Sequence, residues 1–541
     1  MDNKKIWFSD TSGNYFNSGN PATGANAAYD FSSHDVANGW VPYVFMGTGS
    51  GHNCYMNFGQ FDLNSFSSNI PAGFKTLCSA NLPDPTIKLP NKHFDTLLYT
   101  GNNGTQNITG LNFNPDWVWA KNRQDAGYHH DLYDTVRGDN LRIFSSQTNG
   151  EQTGYLQFGV SGGFTLTAGG GINTNGSNHV AWNWNGGDTD GKTYIVKVHD
   201  FSGNNRYIFD DFQTQAVTLD LAEGGTYIFN MDDASNASHP FSIGTAANGT
   251  VYTSGITYFL DGVSKTYSQY TSGFAAATTR RLHITVPASA PVLYYWCSAH
   301  SGMGGQINTN STLGSSNFDG STQSTVKVNQ TAGFSIVRYT GNGSTATIGH
   351  GLGAAPQTYI VKETNSTADW YVYHKEIGAT RQLKLNTNDG RANNDRWQDT
   401  HPTSSVFYLA QKTASNGSGD TYIAYCFSEV TGYSKFGSYT GNGNANGSFV
   451  YTGFRPAWIM LKRSDTDNNW HIADNKRQNP YNVVTAQIYP NLANAEVAQS
   501  DLDIVSNGFK IRRSANFHNA NGGTYIYLAF AESPFKNARA R

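Results

Sequence analysis

Short apolar runs rich in Tyr, Val, Ile, Phe and Trp alternate along the whole chain with clusters of Asn, Gly, Ser and Thr. PDWVWAKN, QTYIVKE, AWIMLKR, TYIAYCF and TYIYLAF are representative. Runs this short, bounded by turn-forming residues, predict β-strands rather than helices. No stretch keeps a helical period, and no heptad pattern marks a coiled-coil stem. The pattern predicts an all-β protein built as a tandem array of β-sandwich domains of jelly-roll or similar type. Units of roughly 100 residues can each bury a core. The expectation is therefore an elongated string of about four or five separately cored sandwiches.

An internal repeat organises the chain. YTGNNG begins at Tyr99, YTGNGS at Tyr339 and YTGNGN at Tyr439. Each is followed by a proline (Pro115, Pro356, Pro456) and then by a lysine (Lys121, Lys362, Lys462) at constant spacing. Trp370 and Trp470 come next in the second and third copies. Each copy closes on an apolar strand: HVAWNW from His179, YIAYCF from Tyr422 and YIYLAF from Tyr525. The YTGNG stretch predicts a strand end and a turn with positive φ, which Asn and Gly tolerate. The three lysines read either as ligand groups or as solvated strand ends. The second and third copies are in tandem, whereas a foreign segment separates the first from the second. The predicted division is 1–90, 91–190 (repeat 1), 191–310 (insertion), 311–430 (repeat 2) and 431–541 (repeat 3).

Composition narrows the class. The 541 residues are 14% charged and 13% aromatic, with 58 glycines. Disordered chains are charged and poor in aromatics, so this chain should fold. Its glycines follow no collagen period. A net charge of −3 with scattered Lys and Arg gives no basic patch for nucleic acid. No apolar run is long enough for a membrane helix, and the N-terminus carries no secretory h-region. Cys54, Cys78, Cys297 and Cys426 stand far apart, which is no disulfide framework and fits assembly in a reducing cytoplasm.

The insertion holds the one constellation of chemical interest. LYYWCSAHSGMGGQI places Cys297, His300 and Met303 in C-x2-H-x2-M spacing on one loop, and ASHPFSIG supplies His239 upstream. A thiolate, two imidazoles and a thioether suit copper in a trigonal His2Cys site with a weak axial Met. The bland alternative is a buried cysteine and satisfied histidines in an unmetallated fold. His283 reads as a strand residue only, and the chain offers no second redox centre.

On these residues the insertion resembles a cupredoxin, the blue-copper sandwich, with the short ligand loop of amicyanin-like members. The resemblance implies a type 1 copper site with His239, Cys297 and His300 as equatorial ligands and Met303 as the axial one. Trp296 stands before the cysteine, where those proteins more often have another residue.

Residues 1–90 carry YMNFGQ and IPAGFKTL. They resemble the C-terminal half of a SPRY domain, a β-sandwich whose remaining half would have to come from elsewhere. The SPRY-like fragment, the cupredoxin-like insertion and the YTGNG repeats together resemble virion structural proteins of marine tailed phages, in particular tail-fibre-like ones. That resemblance implies a protein assembled in the host cytoplasm and carried on the virion. Its partners would be other virion proteins and a host cell-surface receptor or glycan, with no membrane insertion, and as a fibre it would be a homo-oligomer.

No nucleophile elbow, zincin or P-loop motif is present. LYDTVR at Leu132, YHKE at Tyr373 and DNKR at Asp474 align across the repeats. Their charges change position, which reads as solvated surface rather than an active site. The expectation is a non-enzymatic surface fibre for host attachment. The alternatives are an architectural or cementing virion module and a copper-binding redox protein.

Overall fold

The computed structural model describes residues 82–188, 191–477 and 482–537, together with 5–6, 16–20, 23, 25–27 and 29–30. The chain divides into two compact units, Met1–Asp84 and Pro85–Arg541. In the first, Lys5–Ile6 pairs antiparallel with Tyr29–Asp30. The motifs behind the SPRY-like reading, along with Cys54 and Cys78, lie outside the described residues.

The second unit is almost wholly β. Its longest described helix is Tyr267–Gly273, and no described helix is long and apolar enough to cross a membrane. All three repeats have the same sheet order. The opening strand (Phe94–Thr100, Phe334–Thr340, Ser434–Thr440) pairs with the closing strand (Asn178–Trp184, Thr421–Phe427, Thr524–Pro534). The closing strand pairs in turn with the lysine-bearing strand (Trp117–Asn122, Thr358–Glu363, Phe454–Arg463). That strand pairs with a short fourth one (Asp131–Asp134, Tyr371–His374, His471–Asp474). A second sheet, smaller in repeats 1 and 2 and of equal strand number in repeat 3, covers one face of each, making three sandwiches.

The central strands are buried on both faces, which explains why they read as continuous apolar runs rather than alternating ones. In repeat 2, Tyr359, Val361, Tyr422 and Ala424 face the repeat's own second sheet. Ile360, Ile423, Tyr425 and Phe427 face the other way, into a core shared with Trp117 and Trp184 of repeat 1 and Trp458 and Phe530 of repeat 3. The sandwiches therefore do not have wholly separate cores, and the expected string of self-contained units is corrected. An apolar face on each main sheet must be covered, and the three repeats cover one another's.

The repeats close into a ring through equivalent contacts. Trp370 Nε1 of repeat 2 donates to Phe144 O of repeat 1 (2.8 Å), and Trp470 Nε1 of repeat 3 donates to Lys384 O of repeat 2 (2.8 Å). At the same strand position in repeat 1, His130 Nε2 donates to Tyr489 O of repeat 3 (3.1 Å), its Nδ1 being taken by Trp119 Nε1.

The YTGNG motif serves two purposes. Positive φ falls at its fifth residue: Asn103 (54°), Gly343 (70°) and Gly443 (66°). The middle glycine is required by close approach, because a Cβ on Gly341 would lie 2.2 Å from Gly417 O. A buried asparagine near the closing strand captures the next backbone amide. Asn173, Asn416 and Asn519 accept from the N–H of Asn102, Asn342 and Asn442 at 2.9–3.1 Å.

The insertion is a two-sheet sandwich with its own core. One sheet has six strands, from Thr193–Asp200 to Arg280–Thr285 in sequence; the other holds Leu219–Leu221, Gly305–Thr309, Leu293–Cys297 and Phe241–Gly244.

Candidate metal centre

The four-stranded sheet of the insertion brings three of the four sequence-predicted ligands, His239, Cys297 and His300, together. Phe241–Gly244 pairs antiparallel with Leu293–Cys297, so that Phe241 lies opposite Cys297. His239, two residues ahead of Phe241, is thereby placed beside the thiol although it lies far away in sequence. Past the pair, Ser298 N donates to Pro240 O (3.0 Å), which keeps the two loops together. Cys297 Sγ is 3.8 Å from His239 Nδ1 and 3.7 Å from His300 Nδ1. One donor atom from each of the three residues lies within 4.8 Å of the others. The two imidazole rings are 4.6 Å apart.

Met303 is 1% exposed and belongs to the same apolar core as Cys297. Glycines shape its loop on either side. Gly302 turns it back at φ 78°. At Gly304 any Cβ would collide with Tyr295 O. Strand alternation sends Trp296 to the face opposite Cys297, where its indole nitrogen lies against Gly244. His283 sits in Arg280–Thr285 beside Phe259, away from the cluster.

The cluster is dry on one side and open on the other. Cys297, Met303 and His239 are buried, whereas His300 is exposed. Burial, followed by the neighbouring His300, lowers the His239 imidazole below its ordinary pKa. It is thus biased toward the neutral form that a metal ligand requires. Sequence reasoning missed the residues that hold this end of the sandwich. Asn236, fully buried, accepts from His239 N and donates through its side chain to Val196 O. Tyr207 donates to His239 O. Tyr207 is remote from the ligand motifs, and Asn236, although it immediately precedes ASHPFSIG, is not marked by the ligand spacing.

Two further expectations are corrected. Lys121, Lys362 and Lys462 are fully buried, not solvated. Lys362 Nζ donates to Glu363 O and, across the ring, to Thr148 O of repeat 1. Lys462 Nζ donates to Asn468 O and to Asn388 O of repeat 2. Burial pushes each of the three ammonium groups down to about 8. The DTVR and DNKR segments are not solvated surface either. Asp134–Arg137 and Asp474–Arg477 are buried ion pairs at 2.5 Å, sited where repeats meet.

Comparison with known proteins gives one family. No curated protein matches the chain. A family model matches residues 89–205 and 308–534, skirting the segment that supplies His239, Cys297, His300 and Met303. The matched blocks hold nearly all of the three repeats and more than half of the chain, which therefore belongs to the family described as a domain of unknown function (DUF7483).

Proposed function

We propose that the protein is a structural component of a phage particle surface and that its insertion binds one copper ion. The observation that carries the metal reading is the convergence of one thiol and two imidazoles, drawn from two loops, on a single point. Ligands with metal bonds of about 2.0–2.3 Å stand about 3.6 Å apart around a trigonal or tetrahedral ion. The 3.7 and 3.8 Å separations fit that spacing. The donor set is soft, and Met303 supplies a buried thioether in the same core, a combination that favours copper over hard cations. His239, Cys297, His300 and Met303 would hold the ion, and copper there would supply one-electron redox chemistry. The test is a copper titration of wild type beside Cys297→Ser, read by visible absorption. A 1:1 complex with an intense thiolate band, lost in the variant, is expected; equal binding by the two proteins would sink the site.

The virion reading rests on the resemblance over the whole chain. The ring of repeats supports it, being an all-β framework whose three sandwiches share one core and which carries the insertion without demanding any chemistry of it. Within that reading the exterior fibre for host attachment comes first, and a cementing module second. Immunogold labelling of intact phage particles separates both from a non-virion protein. Label on intact particles is expected, whereas its absence from both intact and disrupted particles would refute the placement.

A further inference from the structure

Tyr207 lies in the strand Asn205–Phe209, at the edge of the six-stranded sheet, while Cys297 ends a strand of the other sheet and His239, His300 and Met303 lie on the loops beside it. It nevertheless touches both arms of the constellation. Its hydroxyl donates to His239 O at 2.8 Å in a buried setting. Its backbone N–H donates to Met303 O at 3.0 Å. Its side chain also faces the Cys297 thiol, and its ring packs on Phe241 at 5.1 Å. Phe241 is the cross-strand neighbour of Cys297. One fully buried residue thus ties the His239 loop, the Met303 loop and the cysteine strand together.

We propose that Tyr207 is the positioning residue of this metal centre, holding the histidine and thioether arms at ligand distance before any ion arrives. The inference rests on the metal reading above and deepens it. Groups that orient metal ligands without touching the metal change affinity about 10–100-fold when removed. The backbone arm of the clamp survives any substitution, so the hydroxyl can be tested alone. Tyr207→Phe keeps the ring and its packing and removes the hydroxyl, with its donation to His239 O and its contact with the Cys297 thiol.

The experiment compares full-length wild type, Tyr207→Phe and Cys297→Ser. Copper affinity is measured by chelator competition, and the thiolate band by visible absorption. Hydrogen–deuterium exchange of the metal-free proteins is followed in peptides covering 236–241 and 298–304. The expected result for Tyr207→Phe is a copper dissociation constant about 10-fold or more higher, a shifted band, and faster exchange at 236–241. Unchanged affinity, band and exchange would overturn the proposal. If the wild type binds no copper, the metal reading fails by itself. The exchange arm then decides about Tyr207: faster exchange upholds its clamping role, and equal exchange overturns it.

Discussion

Tyr425 of the second repeat donates its hydroxyl proton to Asp134 Oδ2 of the first at 2.8 Å, and both residues are fully buried. Asp134 already pairs with Arg137 Nε through the same oxygen and accepts from the N–H of Val136 and Arg137 through the other. Across the next seam but one, Asp474 of repeat 3 is arranged identically, with Trp182 Nε1 of repeat 1 in the place of the tyrosine (2.9 Å). Repeat 2 has His374 at this position, and its Nε2 donates to Tyr527 O of repeat 3. One strand position therefore forms all three seams with three different chemistries.

Removing the hydroxyl in Tyr425→Phe leaves a buried carboxylate short of one donor. A hydrogen bond to a charged group contributes about 1.5–3 kcal/mol. Chemical denaturation of the full chain should show a loss of that size. Trp182→Phe should cost at least as much, because it also thins the shared core. Wild-type stability in both variants would show that the seams do not hold the ring.

Lys462 has a buried ammonium whose pKa is lowered to about 8, against an ordinary value of 10.5. Between these values the unfolded chain holds a proton that the folded chain has released, so this contribution to stability rises with pH. It is complete above 10.5 and is lost as pH falls through about 8. Lys462→Met removes it. The stability of wild type relative to the variant should grow by up to about 1.4 kcal/mol per pH unit between pH 8 and 10. A pH-independent difference would contradict the assignment.

Acid should open the same ring from a different seam. Burial lowers His374 to about 4, and in the neutral form it donates from Nε2 to Tyr527 O and accepts at Nδ1 from Glu376 N. Its folded pKa lies below the unfolded value of about 6.5. Its contribution is therefore complete above 6.5 and is lost as pH falls through about 4. His350 (about 4) and His471 (about 3) add to the loss for the same reason, burial. Urea midpoints should fall steeply from pH 6.5 to 4, and less steeply in His374→Gln. Parallel profiles for the two proteins would exclude His374 as a source.

What was legible in the sequence was local. Cys297, His300 and Met303 share one loop, and His239 adjoins a strand whose partner carries the cysteine, so spacing and residue chemistry sufficed to find them. The strand content was equally plain in runs such as TYIAYCF. The ring was not legible, because its seams join residues 153 to 292 positions apart and change identity at each turn: Tyr425, Trp182 and the carbonyl of Tyr527. The lysines misled because charge usually signals solvent, whereas here backbone carbonyls, for Lys362 and Lys462 partly those of the neighbouring repeat, replace the water. The asparagine latches at Asn173, Asn416 and Asn519 fall among many other Asn-rich turns and had nothing local to mark them.

His300 offers the cleanest separation of ligation from folding. It is the exposed member of the cluster, and its described polar contact is with Cys297 Sγ. An exposed side chain away from caps and cores changes stability by no more than about 0.5 kcal/mol when truncated. His300→Ala should therefore leave the denaturation curve of the metal-free protein unchanged while removing one of the three strong donors. Copper affinity should fall by at least about 10-fold and the thiolate band should weaken or vanish, since a His–Cys–Met set no longer encloses the ion. Met303→Leu provides the contrast: it keeps the core filled and spares the three strong donors, so copper should still bind, with a displaced band. If His300→Ala bound copper as wild type does, with an unaltered spectrum, the ion would have to sit elsewhere and the cluster would be structural.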